Sequence, residues 1–491
     1  LKNSEPWTIM TSYNFINNVH ASENYDLLTT IVRKEWGYKG LLVTDWGAGY
    51  DSAKQIEAGQ NLSQRGKPWR YEQVVKALEE GTLTEKQIDN SVRYVLELVD
   101  KSYRMKVQKG EAPKHSGTPD LATHNYIARK ISAEGMVLLK NSDCLPLNGG
   151  QKVALYGSTS YSLIAGGLGA GDVNSKYVKT LPQAFESLGF VVNKDIQKVY
   201  EAYITYFKKY MKANPQPSQA RKILPGQPVI PERLIEKSVA AAEVAIVTFG
   251  RVTGEWNDAL TSSFSLSKDE QELLEYLRQR YRKRIGVLNT GIFMETASWK
   301  DIPDGIILAW QGGSETASAV AYLISGKVNP SGHLPVSFPN NLAEVPSSPY
   351  FPCDYTGPVN IAPWTEESGE KETIHYTNYA EDIYVGYRHY TSFNVPVSYP
   401  FVFGLSYTDF EFSNFTAENN GVETIITVDV KKVGQREGKQ VAQIYVKAAE
   451  SRKYDKPVRE LKAYSKTKSL LPGESERLVM KVKNEDLASF Y

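Results

Sequence analysis

The sequence is poor in the residues that build metal centres and disulfide frameworks. Of its 491 residues only Cys144 and Cys353 are cysteines, too few for a disulfide framework or a four-cysteine zinc site. We therefore expect both to be free, small apolar side chains. The six histidines show no metal-ligand spacing. These absences argue against a metal site.

Long apolar runs and an excess of either charge are also absent. No stretch of about 18 or more apolar residues occurs, so the sequence predicts no membrane span. The 57 Lys and Arg residues balance 56 Asp and Glu residues, which gives no electrostatic argument for nucleic acid or a membrane surface. No secretory signal is visible. Because the chain opens at Leu1 without methionine, we expect its start to lie inside a longer protein.

The first part of the chain alternates strands and helices. Residues 1–108 have the pattern of a (β/α) barrel, but a complete eight-stranded barrel needs about 200 residues or more. We therefore predict a partial, TIM-type barrel that lacks its first half. Its predicted strands are 7–13 and one that ends at Asp45, and its predicted helices are 24–36, 52–58, 72–80 and one from Thr84, where Gln87 completes a capping box.

A second α/β unit at 122–340 follows a polar linker at 109–121 that is rich in proline and glycine. Alternating strands and helices predict an α/β sandwich with a mostly parallel sheet covered on both faces. The predicted strands are 152–157, 190–192, 244–250, 284–289 and 305–310, and the predicted helices are 268–282, with a Ser267–Glu270 capping box, and 315–325.

The pattern changes again beyond this unit. Residues 341–404 are loop-like and are predicted to form a linker segment. Residues 405–491 contain short alternating strands, which predict a β-sandwich. The strands are too few to close two sheets comfortably, so we expect the C-terminus to be truncated. The overall prediction is an α/β multi-domain protein.

Asp45 is the leading candidate for a reactive side chain. It follows the apolar stretch 41–43, which is typical of a strand buried on both faces. A carboxylate at the carboxyl end of such a strand lies where α/β enzymes place their chemistry, and the adjacent Trp46 offers a flat apolar face suited to a sugar ring. The alternative is that Asp45 caps the next helix through Ser52.

Glu255 repeats this arrangement in the second unit. It lies just beyond the predicted strand 244–250 and beside Trp256. Paired carboxylates are what cleavage of a glycosidic bond requires, since one attacks and the other donates a proton. Two such sites in two α/β units suggest a pocket shared between domains. The alternative is that Glu255 is a solvated loop residue.

Ordered motifs along residues 7–491 resemble one known family. They include Met10-Thr-Ser-Tyr-Asn14, Val43-Thr-Asp-Trp-Gly-Ala48, Val137-Leu-Leu-Lys-Asn141, Val328-Asn-Pro-Ser-Gly-His-Leu-Pro335 and Pro400-Phe-Val-Phe-Gly-Leu-Ser-Tyr407. Through them the chain is similar to multi-domain glycoside hydrolases of family 3, of the β-glucosidase type. The resemblance implies that the sandwich at 405–491 is fibronectin-III-like. It also implies that neither a metal nor an organic cofactor is required.

The resemblance assigns roles by position. Asp45 matches the nucleophile, Glu255 the general acid/base, and Tyr13 and Trp46 match residues that line the sugar subsite. Asp258 is a further pocket candidate, with a loop-ordering salt bridge as its alternative. Asp45 has to stay ionised, whereas Glu255 has to hold its proton near neutral pH, which needs desolvation or a like-charged neighbour. We expect retention of configuration, with the two carboxyl groups about 5–5.5 Å apart.

Three segments depart from the family pattern. Barrel segments that grip sugar hydroxyls are absent ahead of Trp7, so either a missing segment or a second chain completes the pocket, or the molecule is impaired. In the glycine-rich loop 166–172, expected to reach over the sugar, Ala170 stands where serine is common. A nucleotide-binding role for this loop is disfavoured, because it does not link a strand to a helix in a G-x-G-x-x-G fingerprint. Residues 58–64 lack the usual acidic stretch after the nucleophile, which reshapes the last barrel strand or reflects drift.

The leading hypothesis is a retaining exo-β-glycosidase that releases terminal β-linked glucose from glucosides or oligosaccharides. A β-xylosidase or another exo-glycosidase of the family is a close alternative, because glucose and xylose differ by one hydroxymethyl group. An alternative of another class is a catalytically impaired carbohydrate-binding remnant. A homodimer and the compartment stay open, with a periplasmic or secreted location favoured.

Overall fold

The structure is a computed structural model that describes residues 1, 4–111, 117–215, 223–255, 261–350, 379–449 and 455–488. Within these ranges the chain forms two compact units, one made up of Leu1–Pro119 and one that begins at Asp120. None of the helices in these ranges is both long and apolar enough to cross a bilayer.

The first unit is built on a short parallel sheet. Strand β1 (Thr8–Thr11) is followed by a small hairpin of β2 (Phe15–Ile16) and β3 (Val19–His20), and it pairs in parallel with β4 (Leu41–Thr44). The helical elements are a 3₁₀ turn at Ala21–Glu23, a π-helix at Asp26–Glu35, α1 (Ser52–Ala58), α2 (Pro68–Glu79), α3 (Glu85–Lys101) and α4 (Tyr103–Gln108).

Local signals predict these elements well. Leu42 is fully buried in a small core between β4, the π-helix and α1, and α3 begins at the predicted Thr84–Gln87 capping box. Helix α3 also carries an apolar stripe of helical spacing, formed by Ile88, Val92, Val95, Leu96 and Val99. The stripe predicts the helix but not its burial, since Val92 and Leu96 are exposed. Residues 58–64, which differ from the family pattern, form no strand beside β4. They contribute a single isolated parallel bridge, between Leu62 and Val43.

The second unit contains a six-stranded sheet in the order β5-β10-β9-β8-β6-β7. All neighbours are parallel except β5, which pairs antiparallel with β10. The strands are β5 (Val137–Asn141), β6 (Lys152–Tyr156), β7 (Val191–Val192), β8 (Val244–Arg251), β9 (Lys283–Thr290) and β10 (Gly305–Leu308). The helices are α5 (Leu121–Gly135), α6 (Leu181–Glu186), α7 (Lys194–Ala213), α8 (Glu232–Ala241), α9 (Lys268–Arg280) and α10 (Thr316–Ile324).

This sheet is the centre of the largest core. The first six residues of β8 are all buried, as expected for a strand covered on both faces. Helix α9 begins at the predicted capping box of Ser267 and Glu270. Sequence analysis used Val137–Asn141 only as a motif and did not assign it as the strand β5, and the antiparallel pairing of β5 with β10 is seen only in the structure.

The last part of the second unit is a β-sandwich. One sheet has the order β13-β14-β17 and the other pairs β15 with β16, and all pairings are antiparallel. Residues from both sheets share one core, including Val430, Leu478 and Ala442. The strands are β13 (Phe410–Asn419), β14 (Glu423–Lys432), β15 (Val441–Val446), β16 (Glu460–Lys466) and β17 (Ser475–Lys483). The predicted α/β multi-domain class with a C-terminal sandwich is confirmed.

The interval 341–404, expected to be a linker segment, contains regular structure. A helix, α11 (Tyr387–Ser392), and a strand, β12 (Val397–Tyr399), lie within it. Strand β12 pairs antiparallel with β11 (Phe338–Pro339), a pairing that the sequence pattern does not indicate because each strand is very short.

Asn289, at the end of β9, provides a test of this core. Its fully buried side chain accepts from the amide of Ile164 (2.7 Å) and donates to the carbonyls of Ile164 (3.0 Å) and Trp310 (2.7 Å). Replacing Asn289 with Leu leaves these groups unpaired, and we expect a loss of about 2–4 kcal/mol of unfolding free energy. Urea unfolding measures it. The control Asn174→Leu, at an exposed position outside helices and strands, should cost under about 0.5 kcal/mol. Equal midpoints for the two variants would contradict the prediction.

Candidate active site

The carboxyl ends of β1 and β4 lie side by side, because the two strands are parallel neighbours. Asp45 directly follows β4, and its amide donates to the carbonyl of Thr11 at the end of β1 (2.9 Å). On the other side of β4, the amide of Thr44 donates to the carbonyl of Leu62 (3.0 Å). Asp45 is half-buried. It therefore lies at the edge of a parallel sheet where α/β enzymes carry reactive side chains.

The alternative role of Asp45, capping the next helix, is wrong. Helix α1 is capped by Asp51, whose Oδ1 accepts from the amides of Ala53 and Lys54 (both 3.0 Å). The Oδ1 of Asp45 instead accepts from the amide of Trp46 (2.6 Å). The carboxylate of Asp45 therefore has no part in holding α1.

Tyr13 and Trp46 meet at the same edge of the sheet. The hydroxyl of Tyr13 donates to the carbonyl of Trp46 (2.8 Å). Both side chains are open to solvent, with 48% of Tyr13 and 59% of Trp46 exposed. The structure thus brings together three of the predicted site residues, Tyr13, Asp45 and Trp46. Two exposed aromatic rings beside a carboxylate form a surface suited to the apolar face of a sugar.

The loop after Trp46 is held by Arg70, which sequence analysis did not single out. The buried guanidinium of Arg70 donates to the carbonyls of Ala48 (3.2 Å) and Gly49 (2.9 Å) and to Oε1 of Gln55 (3.0 Å). Burial lowers the pKa of Arg70, and the charge of Glu23 opposes that shift. Arg70 lies on α2 with no spacing pattern that links it to Asp45, so only the fold identifies it.

His20 supports the segment that carries Tyr13. Its Nδ1 lies 3.2 Å from the carbonyl of Tyr13, and its ring packs against Phe15 (3.8 Å between centroids) and Tyr50 (4.6 Å). Burial lowers the pKa of His20, while Glu23 and the Tyr13 carbonyl act in the opposite direction. The neutral ring is consistent with a packing role beneath the site.

Glu255 lies beyond the end of β8 in the second unit and is exposed. Its Oε2 accepts from the amide of Ala170 (3.1 Å), so it contacts the glycine-rich loop. Immediately before it, Gly254 forms a parallel bridge with Leu168, whose amide donates to the carbonyl of Thr253 (3.0 Å). The loop and the candidate acid are therefore positioned together. Asp258 and Trp256 lie outside the described residues.

The glycine-rich loop is tied to the turn that precedes α10. The amide of Gly313 donates to the carbonyl of Ala165 (2.8 Å), and the amide of Lys179 donates to the carbonyl of Ser314 (3.1 Å). The loop contains a 3₁₀ turn at Gly169–Gly171 and does not lead directly into a helix, since α6 begins at Leu181. This is not the geometry of a strand-to-helix phosphate loop.

Glu315 is a second residue that sequence analysis missed. Its carboxylate is buried, accepts from the hydroxyl of Tyr177 (2.5 Å) and lies 3.7 Å from the guanidinium of Arg129. The bond to Glu315 is the main cause that raises the pKa of Tyr177. Glu315 thus fastens the chain that follows the glycine-rich loop. A glutamate at a helix start resembles an ordinary cap in the sequence, which is why it was not singled out.

Across the described ranges, no group of three or more His, Cys, Asp or Glu side chains is arranged to hold a metal ion. Cys144 is a buried free thiol, and burial raises its pKa to about 11. A thiol in that environment is unreactive. Cys353 lies outside the described residues.

Comparison with protein-family models gives three matches. The glycosyl hydrolase family 3 C-terminal domain matches residues 136–387, and the glycosyl hydrolase family 3 N-terminal domain matches residues 3–98. A fibronectin type III-like domain matches residues 440–491.

Comparison with curated proteins gives relatives of different named activities. An exo-α-(1→6)-L-arabinopyranosidase of Bifidobacterium longum is 28% identical over 496 residues, which cover 98% of this chain. The thermostable β-glucosidase B of Acetivibrio thermocellus is 28% identical over 489 residues, which cover 97% of this chain. The chain spans 58% of the length of each of these relatives.

Among solved structures, β-glucosidase 3B from Thermotoga neapolitana in complex with glucose is 35% identical to this chain, with a TM-score of 0.87. The match covers 100% of this chain and 67% of that one. A β-glucosidase of Bifidobacterium adolescentis is 25% identical with a TM-score of 0.79.

Proposed function

The chain belongs to glycosyl hydrolase family 3, and from that premise we propose that it acts as a retaining exo-β-glycosidase that releases terminal β-linked glucose. The observation that carries the proposal is Asp45 at the carboxyl end of a buried parallel strand, with Trp46 and Tyr13 bonded beside it. Relatives and structural neighbours named β-glucosidase support glucose as the sugar.

The proposed reaction is a double displacement. The ionised carboxylate of Asp45 attacks the anomeric carbon, the glycosidic C–O bond breaks, and Glu255 protonates the departing oxygen. The glycosyl–enzyme ester is then hydrolysed by a water molecule whose proton Glu255 accepts. Two inversions at one carbon give net retention. The exposed rings of Tyr13 and Trp46 receive the apolar face of the sugar.

A second candidate sugar is L-arabinopyranose. The Bifidobacterium longum relative carries an arabinopyranosidase name at the same 28% identity as the Acetivibrio thermocellus β-glucosidase. Arabinopyranosides and xylosides both lack the exocyclic hydroxymethyl group of glucose. A pocket that leaves the position of the hydroxymethyl group open accepts glucosides and xylosides alike, and it accepts arabinopyranosides if it also tolerates their axial 4-hydroxyl group.

The test is hydrolysis by the product of the complete gene. Aryl β-glucoside, β-xyloside and α-L-arabinopyranoside are compared by kcat/KM, and NMR identifies the anomer released first from the glucoside. We expect the glucoside to be the best substrate and β-glucose to appear first. Release of α-glucose would contradict the double displacement. If none of the three substrates is hydrolysed, the result would favour the carbohydrate-binding remnant.

Gly169 tests whether the glycine-rich loop positions Glu255. A Cβ at Gly169 would lie 2.2 Å from Oε2 and 2.5 Å from Cβ of Glu255, and Gly169 has a φ of +62°. Because the Cβ of Glu255 cannot swing away, Gly169→Ala should displace the carboxylate and lower kcat/KM by about 10- to 100-fold.

Gly171→Ala is the control for Gly169→Ala within the same turn, and Gly189→Ala, at a φ of +81° with nothing within 4 Å of its Cβ, is the control for backbone strain. Gly171 lies in the same turn, and a Cβ there meets nothing within 4 Å. We expect the kcat/KM of both controls to stay within about twofold of the parent. Equal losses in Gly169→Ala and Gly171→Ala would show that the turn, and not the contact with Glu255, sets the rate.

A further inference from the structure

A cavity of about 660 Å³ lies in the second unit between α5, the turn after α10 and the loop at 436–439 of the sandwich. Its volume falls within the range of about 300–1,000 Å³ that small-molecule sites occupy. Neither Glu255 nor the glycine-rich loop lines it. The cavity is therefore separate from the acid proposed above.

The motif Val328–Pro335 contributes to this cavity. Asn329 joins the α/β sandwich to the β-sandwich, since its Nδ2 donates to the carbonyl of Glu437 (3.0 Å) and its Oδ1 accepts from the amide of Tyr407 (2.8 Å). Ser331 also lines the cavity and is only 6% exposed. No hydrogen bond of its hydroxyl is found within the described ranges, so the hydroxyl can bond with a ligand in the cavity.

The wall of the cavity is positively charged. Five of its side chains are basic and two are acidic: Arg129, Lys130, Lys327, Arg436 and Lys439 against Glu134 and Glu437. Lys130, Lys327 and Arg436 pair with no carboxylate in the described ranges. A concave surface lined by uncompensated cations attracts anions.

The two acidic residues do not cancel the positive charge of the wall. Glu134 binds Lys439 (2.5 Å) and Lys466 (3.5 Å). Burial disfavours the charged form of Glu134, but these two lysines outweigh it and lower its pKa. The carboxylate of Glu437 accepts from the hydroxyl of Ser469 (2.5 Å). Glu134 is therefore neutralised by its lysines, whereas Glu437 keeps its negative charge. Three cations that pair with no carboxylate in the described part of the chain, Lys130, Lys327 and Arg436, stand against that one charge, so the wall keeps an excess of positive charge.

Two tyrosines stand beside these cations. The ring of Tyr322 lies 5.0 Å from the guanidinium of Arg129 and 5.3 Å from the ammonium of Lys327. Tyr126 is 56% exposed and lies 5.8 Å from Arg129. Flat rings next to cations suit a ligand that has an apolar face and a negative charge.

We propose that this cavity is a second binding site, for a pyranose that bears a negative charge. The charge is received between Lys327 and Arg436, the ring packs against Tyr126, and a hydroxyl bonds with Ser331. The anionic group is a carboxylate or a phosphate. A uronic acid and a sugar phosphate are therefore the two ligands that combine a pyranose ring with a negative charge in this way.

Isothermal titration calorimetry of the full chain tests this site with D-glucuronate, D-glucose 6-phosphate, D-glucose and inorganic phosphate. We expect at least one charged sugar to bind tenfold or more tightly than both glucose and inorganic phosphate, with an affinity that falls as salt is added. The charged sugar that binds identifies the source. Equal affinity for glucose, or for inorganic phosphate, would overturn the proposal.

The double variant Lys327→Glu with Arg436→Glu should weaken that binding at least tenfold. The control is Lys152→Glu with Lys268→Glu, which changes the net charge equally at exposed positions of the same unit outside the cavity. Thermal unfolding verifies that both variants fold. Equal affinities in the two double variants would also overturn the proposal. The proposed second site uses neither Asp45 nor Glu255. A negative result in the binding experiment is therefore independent of a negative result in the glycosidase assay.

Discussion

Asp45→Asn should lower kcat for an aryl β-glucoside by at least about a thousandfold, because a neutral amide cannot attack the anomeric carbon. The two side chains have the same size, and the amide oxygen of asparagine can still accept from the amide of Trp46 as Oδ1 of Asp45 does. Helix α1 is unaffected, since Asp51 caps it. We therefore expect a folded and inactive protein, measured by steady-state kinetics together with circular dichroism.

Asp51→Asn is the control for that result. It makes the same chemical change a few residues along the chain, and asparagine caps a helix as well as aspartate does. We expect its kcat to stay within about twofold of the parent. If Asp45→Asn hydrolyses the glucoside as fast as the parent, Asp45 is not the nucleophile.

The second large effect is expected for Glu255→Ala, and it depends on the leaving group. Hydrolysis of an alkyl β-glucoside should fall by about 10²–10⁴-fold, because its departing oxygen needs a proton. A dinitrophenyl glucoside should lose much less in its first step, because dinitrophenolate leaves without protonation. The measurement is kcat/KM across a series of leaving groups of decreasing pKa.

Azide distinguishes the role of Glu255 as an acid toward the leaving group from its role as a base toward water. Azide attacks the glycosyl–enzyme without a general base, so it should restore turnover of Glu255→Ala and yield a β-glycosyl azide. Glu272→Ala, at an exposed position on α9, is the control. Its kcat/KM should match that of the parent for every leaving group, and added azide should not change its turnover. A uniform loss across the leaving groups, with no response to azide, would remove Glu255 from the acid/base role.

Short-range patterns predicted the elements that carry the candidate site. The capping boxes at Thr84 and Ser267 involve residues three apart, and both helices begin there. The apolar runs before Asp45 and Glu255 predicted β4 and β8, because a strand covered on both faces is built mainly from apolar side chains. The position of Asp45 at a strand end could therefore be predicted from its own segment.

Contacts between distant segments could not be predicted in this way. Arg70 holds the loop after Trp46, and Glu315 holds the chain after the glycine-rich loop through Tyr177. The antiparallel pairing of β5 with β10 is of the same kind. Each depends on the folded path of the chain, and arginine and glutamate are also residue types that are common in solvent-exposed positions.

The sequence by itself determined the α/β and β-sandwich classes, the resemblance to family 3, and the presence of a carboxylate at the end of a buried strand. These follow from periodicity and from short motifs, which are local properties. Only the tertiary structure decided that Asp51 rather than Asp45 caps α1, that Tyr13 meets Trp46, and that Ser331 lines a basic cavity. Hydrogen bonding and burial depend on which distant atoms are adjacent, and one-dimensional spacing does not contain that information.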